Sequence, residues 1–169
     1  LFRSRHYAHG GAYAGASENG TCATLHTMAV NGYGTASPDT RLELNFYTGR
    51  VEVDGKYVTL DDGTPLQYMP LAVEQNLTAS KYIETAGARM KKYEVDRTAY
   101  SDGRLPDNDI VLYRYADVLL MKAEAKVRNG ESGDEQLNAV RSRAGMPSLA
   151  ATLANILDER LLELVWEGW

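Results

Sequence analysis

The chain has 169 residues, 44% of them hydrophobic, and a formal net charge of −5. That length supports one domain with a buried core, and the acidic balance leaves no basic footprint for nucleic acid. A single cysteine, Cys22, excludes an intrachain disulfide framework and a Cys-rich zinc site, and no apolar run approaches the ~18 residues of a membrane span.

Composition divides the chain near residue 105. Nine of the 11 tyrosines lie at or before Tyr100. Residues 1–105 are therefore expected to form a loop-rich Tyr/Gly part that carries ligand-facing loops, and residues 106–169 a helical part. "SDGRLPDND" marks the boundary as a loop. "LFRSRHYA" suits a short strand. "HGGAYAGASENGTCATLH" has no period and reads as a long or partly disordered loop. "NGYGTASPD" is a turn cluster.

"SPDTRLELNFYTG" supports two readings. Leu42, Leu44 and Phe46 alternate with Glu43 and Asn45, as in a strand. Ser37 as N-cap, Pro38 at the first helical position and Gly49 past the end suit a short helix, and the balance tips slightly to helix. "RVEVDGKYVTLDDG" sets β-branched residues between Asp54-Gly55 and Asp62-Gly63, a hairpin signal. "ASKYIETAGARMKKYEVD" adds an extended or mixed segment.

The second part reads as three helices. The first is predicted from Asp109, its cap, to Arg128, with Gly130 beyond its end. Leu112, Tyr115, Ala116, Leu119, Leu120, Ala123 and Val127 form one apolar face, and Val111, Val118 and Ala125 a second. A helix apolar on two sides is expected to sit between other elements. The second helix spans about Asp134–Ala144 and is ended by Gly145 and Pro147. The third starts at Thr152 and uses Leu153, Ile156, Leu157, Leu161, Leu164 and Val165 as its core face, with Leu162, Trp166 and Trp169 as a second edge. Val111–Ala144 approximates the ~34-residue period of a tetratricopeptide helix pair. The predicted fold is mainly α, with tetratricopeptide-like helix pairs (an α-α superhelix) and an irregular part holding a short β-hairpin. Because the chain opens at Leu1 without a signal peptide and stops at Trp169 within an apparent helix, it reads as a fragment of one larger domain.

Candidate chemistry is sparse. Asp117 and Glu124 raise the question of a catalytic carboxylate dyad. Arg114 at i,i+3 from Asp117 and Arg128 at i,i+4 from Glu124 instead suggest surface pairs worth roughly 0.2–0.5 kcal/mol each. Glu159, Glu163 and Glu167 form an acidic ladder that Arg141 and Arg143 would offset. His6 and His9 have i,i+3 spacing but no predicted helix and no adjacent carboxylate. With His26 and Cys22 they carry no expected metal site, and no cofactor is expected. Asn19 and Asn76 begin glycosylation-type triplets of the kind that arise often by chance. No G-x-S-x-G, P-loop or dinucleotide fingerprint occurs. Tyrosines in Gly-rich loops remain. Exposed rings stack on the apolar faces of sugars, and loop aromatics on a rigid scaffold suit binding, although for any one tyrosine a core or hairpin role is the commoner outcome. Tyr7, Tyr13 and Tyr33 are the ligand candidates.

Three blocks carry a family resemblance: "IVLYRYADVLLMKAEAKVRNG", "LNAVRSRAGMP" and "ILDERLLELVWEGW". In order and spacing they resemble the C-terminal helical part of the SusD/RagB family, strongly over Ile110–Trp169 and more weakly over Ala88–Asp109. The resemblance implies a surface-exposed outer-membrane lipoprotein that binds oligosaccharides, is not an enzyme, and delivers its ligand to a TonB-dependent, SusC-like transporter. It implies membrane association through an N-terminal lipid anchor missing from this chain. The matching motif residues, Arg114, Tyr115, Glu124, Asn138, Arg141, Arg143, Glu159, Arg160 and Glu163, are expected to be structural. Competing readings are peptide or other nutrient binding by the same kind of lipoprotein, a tetratricopeptide-like protein-interaction scaffold, and a glycoside hydrolase.

Overall fold

The computed structural model describes residues 21–53, 55–60, 62–73, 85–93, 109 and 111–168. The predicted strand "LFRSRHYA", Tyr7, Tyr13, His6, His9, Asn19, Asn76 and nearly all of the "SDGRLPDND" boundary lie outside them. In chain order the described elements are α1 (Leu25–Val30), α2 (Leu42–Asn45), β1 (Phe46–Tyr47), β2 (Glu52–Val53), β3 (Lys56–Tyr57), β4 (Arg89–Met90), α3 (Tyr115–Arg128), α4 (Asp134–Arg143) and α5 (Leu153–Leu164). The fold is mainly α, with short antiparallel pairs and loops. The chain forms two compact units, one from Leu1–Met28 with Glu43–Ile110, the other from Ala29–Leu42 with Val111–Trp169.

The first unit contains the expected hairpin. β2 pairs antiparallel with β3, Glu52 opposite Tyr57, and Gly55 turns the chain at φ +74°, a conformation that favours glycine. At the second predicted turn, the Thr64 N–H and hydroxyl both donate to Asp62 Oδ1, at 2.9 and 2.7 Å. An Asx-type bond of this kind stabilises a turn locally. Together the two turns bring Val51, Val58, Leu66 and Tyr68 into one buried cluster. Tyr68 is thus a core residue, with Tyr47 tilted against it at 6.5 Å. β1 pairs with β4, Phe46 opposite Met90, so the downstream extended reading holds for its described part.

Two upstream readings are corrected. The stretch read as loop through His26 turns helical at Leu25, because Thr24 Oγ1 accepts the Thr27 N–H at 3.1 Å and caps the start. In the ambiguous 38–48 stretch, the helix begins at Leu42, not after Ser37, and gives way to strand at Phe46. Both signals are real, and they act in succession.

The second unit packs α3, α4 and α5 around Leu120, Ala123, Leu137, Val140 and Ile156. α3 and α4 both end in a Schellman motif. Gly130 N–H donates to Val127 O and Glu131 N–H to Lys126 O, at 3.0 and 2.8 Å; Gly145 N–H donates to Ser142 O and Met146 N–H to Arg141 O, at 3.0 and 2.9 Å. Thr152 caps α5 by accepting the Asn155 N–H at 3.1 Å, as its position predicts. Gly133 lets α4 approach α3 closely: a Cβ there would lie 2.7 Å from the Ala123 carbonyl oxygen. Backbone blocks that space, so Gly133→Ala is expected to cost about 1–3 kcal/mol by overpacking. Urea denaturation measures this, and an unchanged midpoint would show that the helices can part freely.

Four expectations about these helices fail. α3 starts at Tyr115 rather than Asp109. Its cap residue, Arg114, has extended backbone, and its side chain is engaged elsewhere (below). Leu112, Tyr115 and Val118, placed on apolar contact faces, are exposed, whereas Asp117 is only 1% exposed. α5 stops at Leu164 rather than continuing through Trp169; Trp166 has φ +68°. Its inner face is Ile156, Glu159, Leu162, Glu163 and Leu164, while Leu153 and Leu157 are exposed. The inner stripe of α5 is partly carboxylate, so a hydrophobic periodicity places that face wrongly.

Candidate functional site

The three acids on and after α5 are interior, and Arg141 and Arg143 offset Glu159 and Glu163 as expected. Glu159, Glu163 and Glu167 are 1%, 3% and 5% exposed. Burying such charges is costly unless each is paired and hydrogen-bonded, and each one is. Glu159 accepts from Arg41 Nη1 and Arg141 Nη1, both at 2.7 Å. Glu163 accepts from Arg41 Nη1 at 2.9 Å, and from Arg114 Nη1 and Arg143 Nη2 at 2.7 Å. Arg114 also grips Glu167, Nε to Oε2 at 2.7 Å and Nη2 to Oε1 at 2.8 Å. Asp39 holds Arg41 through Nε at 2.9 Å and Nη2 at 2.8 Å. Arg41, Arg114, Arg141 and Arg143 therefore balance Asp39, Glu159, Glu163 and Glu167.

The predicted Arg114–Asp117 pair does not form. Arg160 stands 2.7 Å from Asp117 instead, and Arg114 is committed to Glu163 and Glu167. Glu124 and Arg128 do pair, at 2.7 Å on the surface. Asn138 ties down the α4–α5 connection: its amide donates to Leu149 O and accepts the Leu149 N–H, at 2.9 and 2.8 Å. Tyr115 is exposed in the first turn of α3.

This ion cluster anchors a loop. Residues 31–39 leave α1 and return on themselves, with Asp39 N–H donating to Asn31 O at 2.9 Å. Gly32 and Gly34 have φ of +69° and +81°, where a side chain is disfavoured. Thr35 closes the turn by donating its hydroxyl to Gly32 O at 2.7 Å. The Thr40 hydroxyl donates to Ala144 O, so residues 39–41 are fixed to the helices by both charge and hydrogen bond. Tyr33 sits between the two glycines, half-buried.

Beneath this loop is a pocket of about 240 Å³. Asn31, Gly32, Ser37 and Asp39 line it from the loop, and Arg141, Asn155, Asp158 and Glu159 from the helices. Met146, Leu149 and Leu162 supply apolar wall. Mostly preformed clefts with a few placed polar groups are typical of small-molecule sites. Two of the three lining carboxylates, Asp39 and Glu159, are locked in ion pairs. Among the described residues, no group of His, Cys, Asp and Glu is arranged to hold a metal ion.

Sequence reasoning found Arg141 and Glu159 but missed Asp39, Arg41, Asn155 and Asp158. Arg41 lies 118 positions before Glu159, and nothing in its neighbourhood names so distant a partner. The Asp39-x-Arg41 spacing is the one local trace.

The described helices and the 31–39 loop thus form a helical scaffold that pins a glycine-bearing turn over a polar pocket. The chain belongs to the SusD family, whose SusD/RagB description matches residues 7–169. It is 32% identical over 82 residues to the starch-binding protein SusD of Bacteroides thetaiotaomicron. That stretch covers 47% of this chain and 15% of that protein, so the chain spans a small part of this relative's length. No solved structure gives a significant match.

Proposed function

We propose that this chain is part of a nutrient-binding protein of the bacterial outer-membrane surface. In this reading it binds oligosaccharides without cleaving them and delivers them to a TonB-dependent, SusC-like transporter. Membership of the SusD family over residues 7–169 carries the reading, and the starch-binding activity in the name of the SusD relative agrees with it. The site chemistry is compatible: a preformed pocket with polar groups beside an apolar wall, and Tyr33 half-buried in the adjoining loop, outside the pocket's own lining. Tyr7, Tyr13 and Tyr33 are proposed to stack on sugar rings.

A glycan array followed by titration calorimetry on the 169-residue chain tests this. Saturable binding with intact ligand is expected, and release of reducing ends would refute the non-catalytic role. Each of Tyr7→Ala, Tyr13→Ala and Tyr33→Ala is expected to weaken binding by roughly two- to tenfold, the factor that corresponds to the energy of an aromatic stacking contact. Unchanged affinity in all three would remove these tyrosines from the site.

A further inference from the structure

We infer that the pocket under the 31–39 loop seats one neutral sugar ring and discriminates against acidic sugars. The inference rests on the glycan-binding reading and adds its charge selectivity. Size comes first. A volume of about 240 Å³ lies below the roughly 300–1,000 Å³ of sites for drug-sized ligands, which suits a single ring.

The exposed chemistry comes second. Arg141 holds Glu159 through Nη1 and donates from Nε to Pro147 O, both at 2.7 Å, so its charge is balanced while its Nη2 donors stay open to a ligand. Asn155 Nδ2 is committed to Ala150 O at 2.9 Å, which leaves its carbonyl oxygen for a ligand. The side chains of Ser37 and Asp158 make no hydrogen bond or ion pair with any other described residue. The pocket thus presents the Asn155 carbonyl oxygen, Asp158 and the Ser37 hydroxyl as acceptors and the Arg141 Nη2 group as donor, suited to sugar hydroxyls that both donate and accept, beside an apolar wall of Met146, Leu149 and Leu162 suited to the C–H face of a ring.

The charge balance decides the class. Asp39 and Glu159 are neutralised by Arg41 and Arg141. Asp158 is the one lining carboxylate without a cation among the described residues. A carboxylate on the ligand would meet that charge beside a guanidinium, Arg141, whose own charge Glu159 already balances, and like charges at a binding surface discriminate strongly.

Calorimetry on the 169-residue chain reads this directly, with neutral hexasaccharides (maltohexaose, cellohexaose, xylohexaose) against hexagalacturonate. The acidic probe is expected to bind at least about tenfold more weakly than the best neutral one at low salt, with the gap narrowing as salt screens it. In Asp158→Asn, the ratio between acidic and neutral affinity should fall to about threefold or less. Leu149→Trp, which fills the pocket from an exposed position, should cost more than about tenfold in neutral affinity while keeping its thermal transition. Neutral binding that Leu149→Trp leaves unchanged would place the sugar elsewhere and overturn the pocket assignment, with the glycan reading intact. An acidic-to-neutral ratio that Asp158→Asn does not move would overturn the charge selectivity. No saturable binding of any probe would overturn both this inference and the reading beneath it.

Discussion

Arg41→Met is expected to destabilise the helical unit by about 3–5 kcal/mol, the usual cost of breaking a buried ion pair from one side. One guanidinium serves Asp39, Glu159 and Glu163 at 2.7 to 2.9 Å, and its side chain is 6% exposed. Without it, Asp39 keeps no ion-pair partner among the described residues, while Glu159 retains Arg141 and Glu163 retains Arg114 and Arg143. Domains of this size are stable by about 5–15 kcal/mol, so the loss is a large share of the total. Lysine should not rescue it, because a point charge cannot reproduce the fork that grips Asp39 from two nitrogens. Adding Asp39→Leu to Arg41→Met should recover part of the loss by removing the stranded charge. Urea denaturation followed by circular dichroism measures all three variants. Arg41→Met within about 1 kcal/mol of the parent would mean the cluster is not holding residues 39–41 in place.

Acid should act on the same cluster. Burial pushes the Asp39 carboxyl up, but hydrogen bonds and charge from Arg41, with charge from Arg141, outweigh it and hold the group below its ordinary 3.8. Burial likewise raises Glu163, and Arg114, Arg41 and Arg143 together hold it below its ordinary 4.5. Both groups have a lower pKa folded than unfolded, so at acid pH the unfolded chain binds more protons. Their contribution is complete above the unfolded values of 3.8 and 4.5, and it is lost as pH falls through the folded values. Stability from this source should stay level from about pH 7 to pH 5.5 and decline steeply below about pH 4.5. In Arg41→Met, Asp39 loses the partner that lowers it, so the decline should be shallower from a lower start. Urea midpoints across this range check the sign, and stability that rises on acidification would contradict it.

Legibility in the sequence followed the range of the interaction. Gly130 and Gly145 mark Schellman ends, Thr152 marks a cap and the Asp-Gly turns mark a hairpin, because each acts within a few residues. The same holds for the three motif blocks, whose residues make up α3 to α5. Long-range pairing was hidden. Arg114 and Asp117 have the spacing of a helical pair, yet each is taken by a residue of the 160–167 stretch, since a buried carboxylate selects its arginine by tertiary geometry. The face of α5 was misjudged for the same reason: Glu159 and Glu163 are interior only because Arg41, Arg114, Arg141 and Arg143 converge on them. Of the pocket, Arg141 and Glu159 came through the family motif, while Asp158 and Asn155 read as ordinary polar positions on a helix surface.

In the proposed reading, this SusD-family chain holds oligosaccharides and does not cut them. Calorimetric titration of the 169-residue chain with neutral hexasaccharides, with the ligand recovered and sized afterwards, tests it most directly. One saturable binding event and a hexasaccharide recovered at full length are expected; absence of saturation with every saccharide, or shortened products, would refute the proposed role.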